Sequence, residues 1–236
     1  MNMSMKRIQA IFIKDYKEFS RNYAVSIMVL LPLLLAFFYN KSGANTMQMY
    51  FLPINMTLAI VTAFIQCCLM AEEKESNTLR SLMMSPASIA DILIGKSSLV
   101  FSISAVILAL TIYLVGYNPA NIIVLALALI VSIVFYLALG TICGLYTKTV
   151  MEASVAVLPV MGLFSFGPLA LSLSEKYPAL TVAEWLPSAQ LILLAESLET
   201  VAPAKELIVP FVVMIAWTVL ALAVTTVLYK KRMTDD

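Results

Sequence analysis

The sequence predicts an all-α membrane protein: six transmembrane helices, an amino-terminal amphipathic interfacial helix, and a re-entrant outer helical hairpin before the last span. Three observations carry this prediction. Six long apolar stretches fill most of the 236 residues, running Tyr23–Tyr39, Phe51–Ala71, Ser97–Val115, Asn121–Tyr146, Val150–Leu173 and Leu207–Tyr229. Each is close to the roughly 20 residues a helix needs to cross about 30 Å of hydrocarbon. Apart from Glu152, near one end of the fifth, none holds Asp, Glu, Lys or Arg. A charge at mid-bilayer costs about 2.5–3.5 kcal/mol on insertion scales, so such clean runs are spans and not soluble core. Finally, 61% of residues are hydrophobic, 12% are charged, and the mean hydropathy is +0.94, against about 25% charged residues in a soluble domain.

The elements follow in chain order. Residues 1–21 are charged throughout and precede a full-length span, which argues against a cleavable leader. On a helical wheel Lys6, Arg7, Lys14, Lys17 and Arg21 share an arc of about 100°, with Ile8, Ile11, Phe12, Tyr16 and Phe19 opposite. That pattern predicts a helix lying in the interface, basic face toward lipid headgroups or a partner. Asp15 interrupts the apolar face and Glu18 sits at its edge, a placement that suits a protein contact better than a lipid float. Within the spans, Pro32, Pro53, Pro159 and Pro168 predict kinks or breaks. Gly140 and Gly144 form a small-xxx-small pair that permits close helix approach. Cys67, Cys68 and Cys143 lie in apolar surroundings and read as small packing residues.

Orientation comes from Lys and Arg. The amino-terminal segment, the joint between spans two and three, Lys148 and the tail together hold twelve, while the opposite side has Lys41, Lys176 and Lys205. Twelve against three places both termini in the cytoplasm. The outer joint of residues 174–206 is acidic instead, and it contains Trp185 and Gln190, a helix-start signal at Pro187 and Ser188, then an apolar run too short to cross, followed by Glu196. A re-entrant or interfacial hairpin fits, acting either as an outer gate (Trp185, Pro187, Gln190, Glu196) or as a surface helix covering the bundle.

The joint at residues 72–90 is the most informative stretch. Glu72, Glu73 and Glu75 crowd the exit of span two; Thr78, Leu79, Leu82 and Met83 then form a short helix with one apolar edge, ended by Ser85-Pro86. Such a shape can dock into a partner's groove. Residues 90–97 fit the loosest phosphate-binding-loop pattern, but one glycine within an apolar helical run cannot supply converging backbone N–H groups. The chain is therefore not expected to hydrolyse ATP. With no histidine, a histidine triad, metal site or proton relay is excluded.

The acidic cluster, Thr78-Leu79, Ser85-Pro86, Ser88 and Gly95-Lys96, together with the amphipathic first helix, six spans and outer hairpin, resemble the permease subunits of type-2 ATP-binding-cassette exporters. Asn77 stands where that family usually has a glycine before the threonine. The resemblance implies a coupling helix seated on a separate ATPase subunit. Glu72, Glu73, Glu75, Thr78, Leu79, Leu82, Met83 and Pro86 would be the contact set, with the amino-terminal helix beside it. It implies two permeases, identical or closely related, with two ATPase copies, and ATP and Mg bound in the ATPase, with no cofactor or metal on this chain. It also implies a multi-pass protein of a bacterial plasma membrane, forming a single transmembrane domain. The cargo expected of such apolar spans is hydrophobic or amphipathic: a membrane-active peptide, a drug or a lipid-linked molecule. An ion-coupled secondary transporter, or a sensor or immunity subunit, are the competing readings; the former usually needs intramembrane carboxylates, and only Glu152 approaches that.

Overall fold

A computed structural model of the chain describes residues 5–43, 45–76, 89–173, 177–200 and 203–235, and every element in them is helical. Helix α1 (Met5–Arg21) lies at 89° to the helical stretch Val25–Lys41, which comprises α2 (Tyr23–Ile27) and α3 (Leu30–Lys41). Asn22 makes the corner, its side chain accepting from the Val25 N–H at 3.3 Å. The first predicted span is thus short and broken. Pro32 falls in the first turn of α3, where a missing N–H costs least.

Next comes a continuous rod, Met47–Glu75, capped by the Thr46 side chain on the Met49 N–H. It comprises α4 (Met47–Met56), a π-helical stretch Thr57–Phe64, and α5 (Ile65–Glu75). Pro53 donates no backbone hydrogen bond, and the wider turn begins four residues on, where the Thr57 N–H and its hydroxyl both donate to the Pro53 carbonyl, the hydroxyl at 2.8 Å. The rod is the hub of the bundle: 94% of its most apolar stretch is buried against the rest of the chain, against 22% for Val150–Leu171 and for Glu206–Lys230.

Helices α6 (Ile89–Val115) and α7 (Ile122–Tyr146) follow, joined by a turn in which Gly116 takes φ 77°, a conformation that favours glycine. Asn121 caps α7 by accepting from the Ile123 and Val124 N–H groups. The fifth apolar stretch is divided into α8 (Val150–Ala156), α9 (Leu158–Phe166) and a 3₁₀ segment Gly167–Leu173, with Pro159 and Pro168 at the two divisions. The outer joint folds as a 3₁₀ segment Pro178–Trp185 meeting α10 (Pro187–Glu199) at 83°. Helix α11 (Ala204–Asp235) ends the chain.

Among the described residues five helices are long and apolar enough to cross a membrane, and up to seven if each bent pair counts as one span. The Gly140/Gly144 pair meets the rod as expected. A Cβ on Gly140 would collide with the Ala63 carbonyl oxygen, and one on Gly144 would lie 2.5 Å from the Met70 Cβ. Cys67 and Cys68 are buried beside this contact and Cys143 is half-buried; all three are free thiols. Polar side chains thread the same interface: Thr57 pairs with Thr111 at 3.1 Å, Thr62 donates to Ser104 at 2.8 Å, and Gln66 donates to Thr141 at 3.0 Å. In hydrocarbon such groups have no water to fall back on, so each pair fixes the register of the rod against α6 and α7.

Candidate functional site: an ion cluster at the basic end of the bundle

Four elements meet where α1, α5, α6 and the end of α11 converge. Glu73, fully buried on α5, receives two ammonium groups: Lys14 Nζ of α1 at 2.6 Å from Oε1, and Lys96 Nζ of α6 at 2.5 Å from Oε2. Lys14 also lies 3.2 Å from Glu18 and 3.8 Å from Asp15. Tyr229 of α11 is buried within electrostatic reach of Glu73. The site is built by close approach. Gly95 sets α6 against α1, since a Cβ there would stand 3.0 Å from Ile11. Ile11 and Asp15, one turn apart, are the buried residues of the α1 face that docks.

Asp15 is 1% exposed, and neither carboxylate oxygen has a hydrogen-bond partner among the described residues. Burial pushes its carboxyl up to about 6; the Lys96 charge opposes that shift, Glu73 adds to it, and smaller effects of Lys14 and Glu18 oppose each other. Burial works against the Lys14 ammonium, yet the Glu73 carboxylate holds it above the ordinary lysine value, helped by Glu18 and Asp15. The carboxylates of Asp15, Glu18 and Glu73 lie within 4.8 Å of one another, a spacing that suits a metal ion. The Lys14 ammonium already sits among them as the compensating cation. The cluster is a structural lock between helices.

The predicted contact residues divide accordingly. Glu73 faces inward and makes the lock. Glu75 accepts from the Val150 N–H at 2.9 Å, fastening the start of α8, and Glu72 is half-buried beside them. Lys74 donates to the Leu145 carbonyl at 2.7 Å and to the Thr147 carbonyl, tying the same end to α7. Thr78, Leu79, Leu82, Met83 and Pro86 lie outside the described residues, as do the side chains of Lys6 and Arg7. Lys17 and Arg21 are exposed. Lys14, counted with the basic face, turns into the cluster instead. Residues 90–97, where a phosphate loop was considered, lie within helix α6, and Lys96 is committed to Glu73.

At the opposite end the hairpin is held by a second set of contacts. Asn55 of the rod donates to the Ser188 carbonyl at 3.4 Å, Gln190 donates to the Glu184 carbonyl at 2.7 Å, and Trp217 Nε1 donates to the Trp185 carbonyl at 2.9 Å. Pro187 and Gln190 are buried, while the Trp185 ring and Glu196 are exposed. The acidic residue that fastens the hairpin is Glu199, absent from the predicted set: it accepts from the Tyr117 hydroxyl and the Ala120 N–H, both at 3.2 Å. Burial pushes the Tyr117 phenol up, and the adjacent Glu199 charge adds to it. The pairing of Lys96, named only within the Gly95-Lys96 motif, and the part of Glu199 escaped the sequence reading because each partner is more than twenty residues distant along the chain.

The described residues thus form a many-pass helical bundle with its first helix locked onto its basic end. The chain matches the model of the ABC-2 family transporter proteins over residues 2–227, and it belongs to that family. Membership makes it an ATP-binding-cassette permease component, not itself catalytic, and implies a partnering ATPase subunit. No curated protein matches the sequence.

Proposed function

We propose that this chain is the permease subunit of an ATP-driven exporter that moves a hydrophobic or amphipathic cargo out of the cell. Two copies, or one copy and a close relative, pair with two ATPase subunits that bind ATP and Mg. The basic end faces the cytoplasm of a bacterial plasma membrane, in line with the distribution of Lys and Arg. The joint of residues 72–90 is the element the ATPase pushes, and Thr78, Leu79, Leu82, Met83 and Pro86 are its contact set. The Glu73 cluster is the observation that carries this reading. Glu73 sits at the entrance of the joint and Lys96 just past its exit, so the ion pair closes the joint at its base. Lys14 adds α1 to the same rigid corner. A displacement of the joint is then delivered to α1, the rod and α6 together, and the rod reaches the hairpin through Asn55. Closure of the ATPase dimer shifts the population between inward-open and outward-open bundles. The hairpin, with Trp185, Pro187, Gln190 and Glu196, serves as the outer gate.

The test is ATP turnover of the purified permease with its ATPase in lipid vesicles. Leu79→Asp places a charge on the apolar edge of the joint and is expected to reduce turnover at least tenfold while leaving the amount of folded permease unchanged. Unchanged turnover would remove the joint from the coupling path. Transport that persists in energised vesicles depleted of ATP would instead favour an ion-coupled carrier.

A further inference from the structure

Helices α6 and α7 diverge on the outward flank of the bundle and leave a groove. At the basic end it opens into a cavity of about 500 Å³ between α6, α7 and α11, lined by Leu93, Ser98, Ser102, Leu137, Leu222 and Thr225 among others. A second cavity of about 460 Å³ continues the groove toward the opposite end, past Ala105 and Ile133 to Tyr113 and Asn118. We propose that the cavity at the basic end is a binding site for one acyl chain of an anionic phospholipid, whose headgroup lies at the polar interface of that end.

Length, chemistry and charge agree on this occupant. From Leu93 to Ser102 the wall extends about 14 Å, one leaflet's share of a hydrocarbon core about 30 Å thick. The volume falls within the range of ordinary small-molecule sites. The wall is aliphatic with a few hydroxyls, and those of Ser98, Ser102, Thr141 and Thr225 are already turned to backbone carbonyls of their own helices. An apolar chain therefore enters without stripping hydrogen bonds. The mouth is open to the membrane side, where Ile94 and Leu222 are exposed. The basic joints of the chain are concentrated at this end, which suits an anionic headgroup and not a zwitterionic one. The leaflet is the inner one on the orientation proposed above; the binding itself does not depend on that orientation.

The experiment uses the full chain in phosphatidylcholine vesicles doped in both leaflets with phosphatidylglycerol carrying a diazirine midway along one acyl chain. After irradiation the adducts are mapped by peptide mass spectrometry. Adducts are expected on residues 93–102 and 134–141 at roughly tenfold the density found on α8 and α9, which are less buried than α6 and α7. Ser102→Phe, at the rim, is expected to lower groove labelling about tenfold with labelling of α8 and α9 unchanged. Phe101→Ala, which enlarges the groove, is expected to retain it. An identically labelled phosphatidylcholine is expected to label the groove about fivefold less than phosphatidylglycerol, and equal labelling by the two lipids would overturn the assignment of an anionic headgroup. Even labelling over all outward faces, or loss of labelling in Phe101→Ala, would overturn the proposal. So would chain-to-chain cross-links from a photoreactive residue at position 102, with no lipid adduct there, because a second copy would then fill the groove.

Discussion

Removing one carboxylate should loosen four helices at once. In Glu73→Gln the shape is kept, but the Lys96 ammonium, 2% exposed, loses its partner at 2.5 Å and Lys14 loses its partner at 2.6 Å. Breaking a buried pair from one side costs about 3–5 kcal/mol, because a charge is left in a low-dielectric site. Asp15 stays within electrostatic reach of Lys96 and takes up part of the load, and Lys14 keeps Glu18, which places the loss near the lower end, about 3 kcal/mol. In a chain of this length that corresponds to a fall in midpoint of roughly 10 °C. The measurement is thermal exposure of the buried thiols Cys67 and Cys68 to a thiol-reactive fluorophore in detergent micelles. Glu73→Gln/Lys96→Met removes both charges and should recover most of the loss, since an apolar replacement of a whole buried pair is often neutral. A Glu73→Gln protein as stable as the parent would refute the lock. A double variant whose loss equals the sum of the two single losses would show that the two residues do not interact.

Other perturbations test separate parts. The Asp15 carboxyl titrates at about 6 in the folded chain against an ordinary 3.8, so the folded state holds the extra proton between those values. The contribution of Asp15 to the docking of α1 is therefore full below about pH 4 and is lost as pH rises through about 6, by at most about 3 kcal/mol. Asp15→Asn should flatten this dependence in a proteolysis assay at the exposed Lys17, and a variant that keeps the parent profile would remove Asp15 as its source. Gly140→Ala forces a methyl against the Ala63 carbonyl and should cost about 1–3 kcal/mol in the same thiol assay, while Gly162→Ala, which meets nothing within 4 Å, should cost far less. Glu199→Ala frees the Tyr117 hydroxyl and the Ala120 N–H; amide exchange in residues 116–120 should quicken severalfold with α7 unaffected beyond its first turn.

The broad architecture was legible because lipid leaves so few options: runs such as Asn121–Tyr146, apolar on every side, have no soluble alternative. Breaks were legible at the prolines that divide residues 150–173, whereas the corners at Asn22 and Gly116 emerged only from the structure. Asp15, expected from its place on an apolar face to suit a protein contact, is buried where α1 meets the bundle. What it could not announce was the partner, because Glu73 and Lys96 are brought to it by packing of α5 and α6 and not by spacing along the chain. For the same reason the bond from the Val150 N–H to the exposed Glu75 carboxylate, and the part of Glu199 in fastening the outer hairpin, could not be read from the sequence. Periodicity also gives no warning of the π-helical stretch, whose residues are as apolar as those of the helix around it.

That stretch limits how the central helix can move. Rewinding Thr57–Phe64 into an ordinary α-helix would turn one end relative to the other by about 100° for each residue absorbed. Glu73 would swing away from both lysines, or Asn55 away from the hairpin, and the paired hydroxyls between would have to part. Any work passed from one membrane face to the other must therefore travel as a lean or a slide of an unwinding-resistant strut, with its twist held constant throughout the cycle.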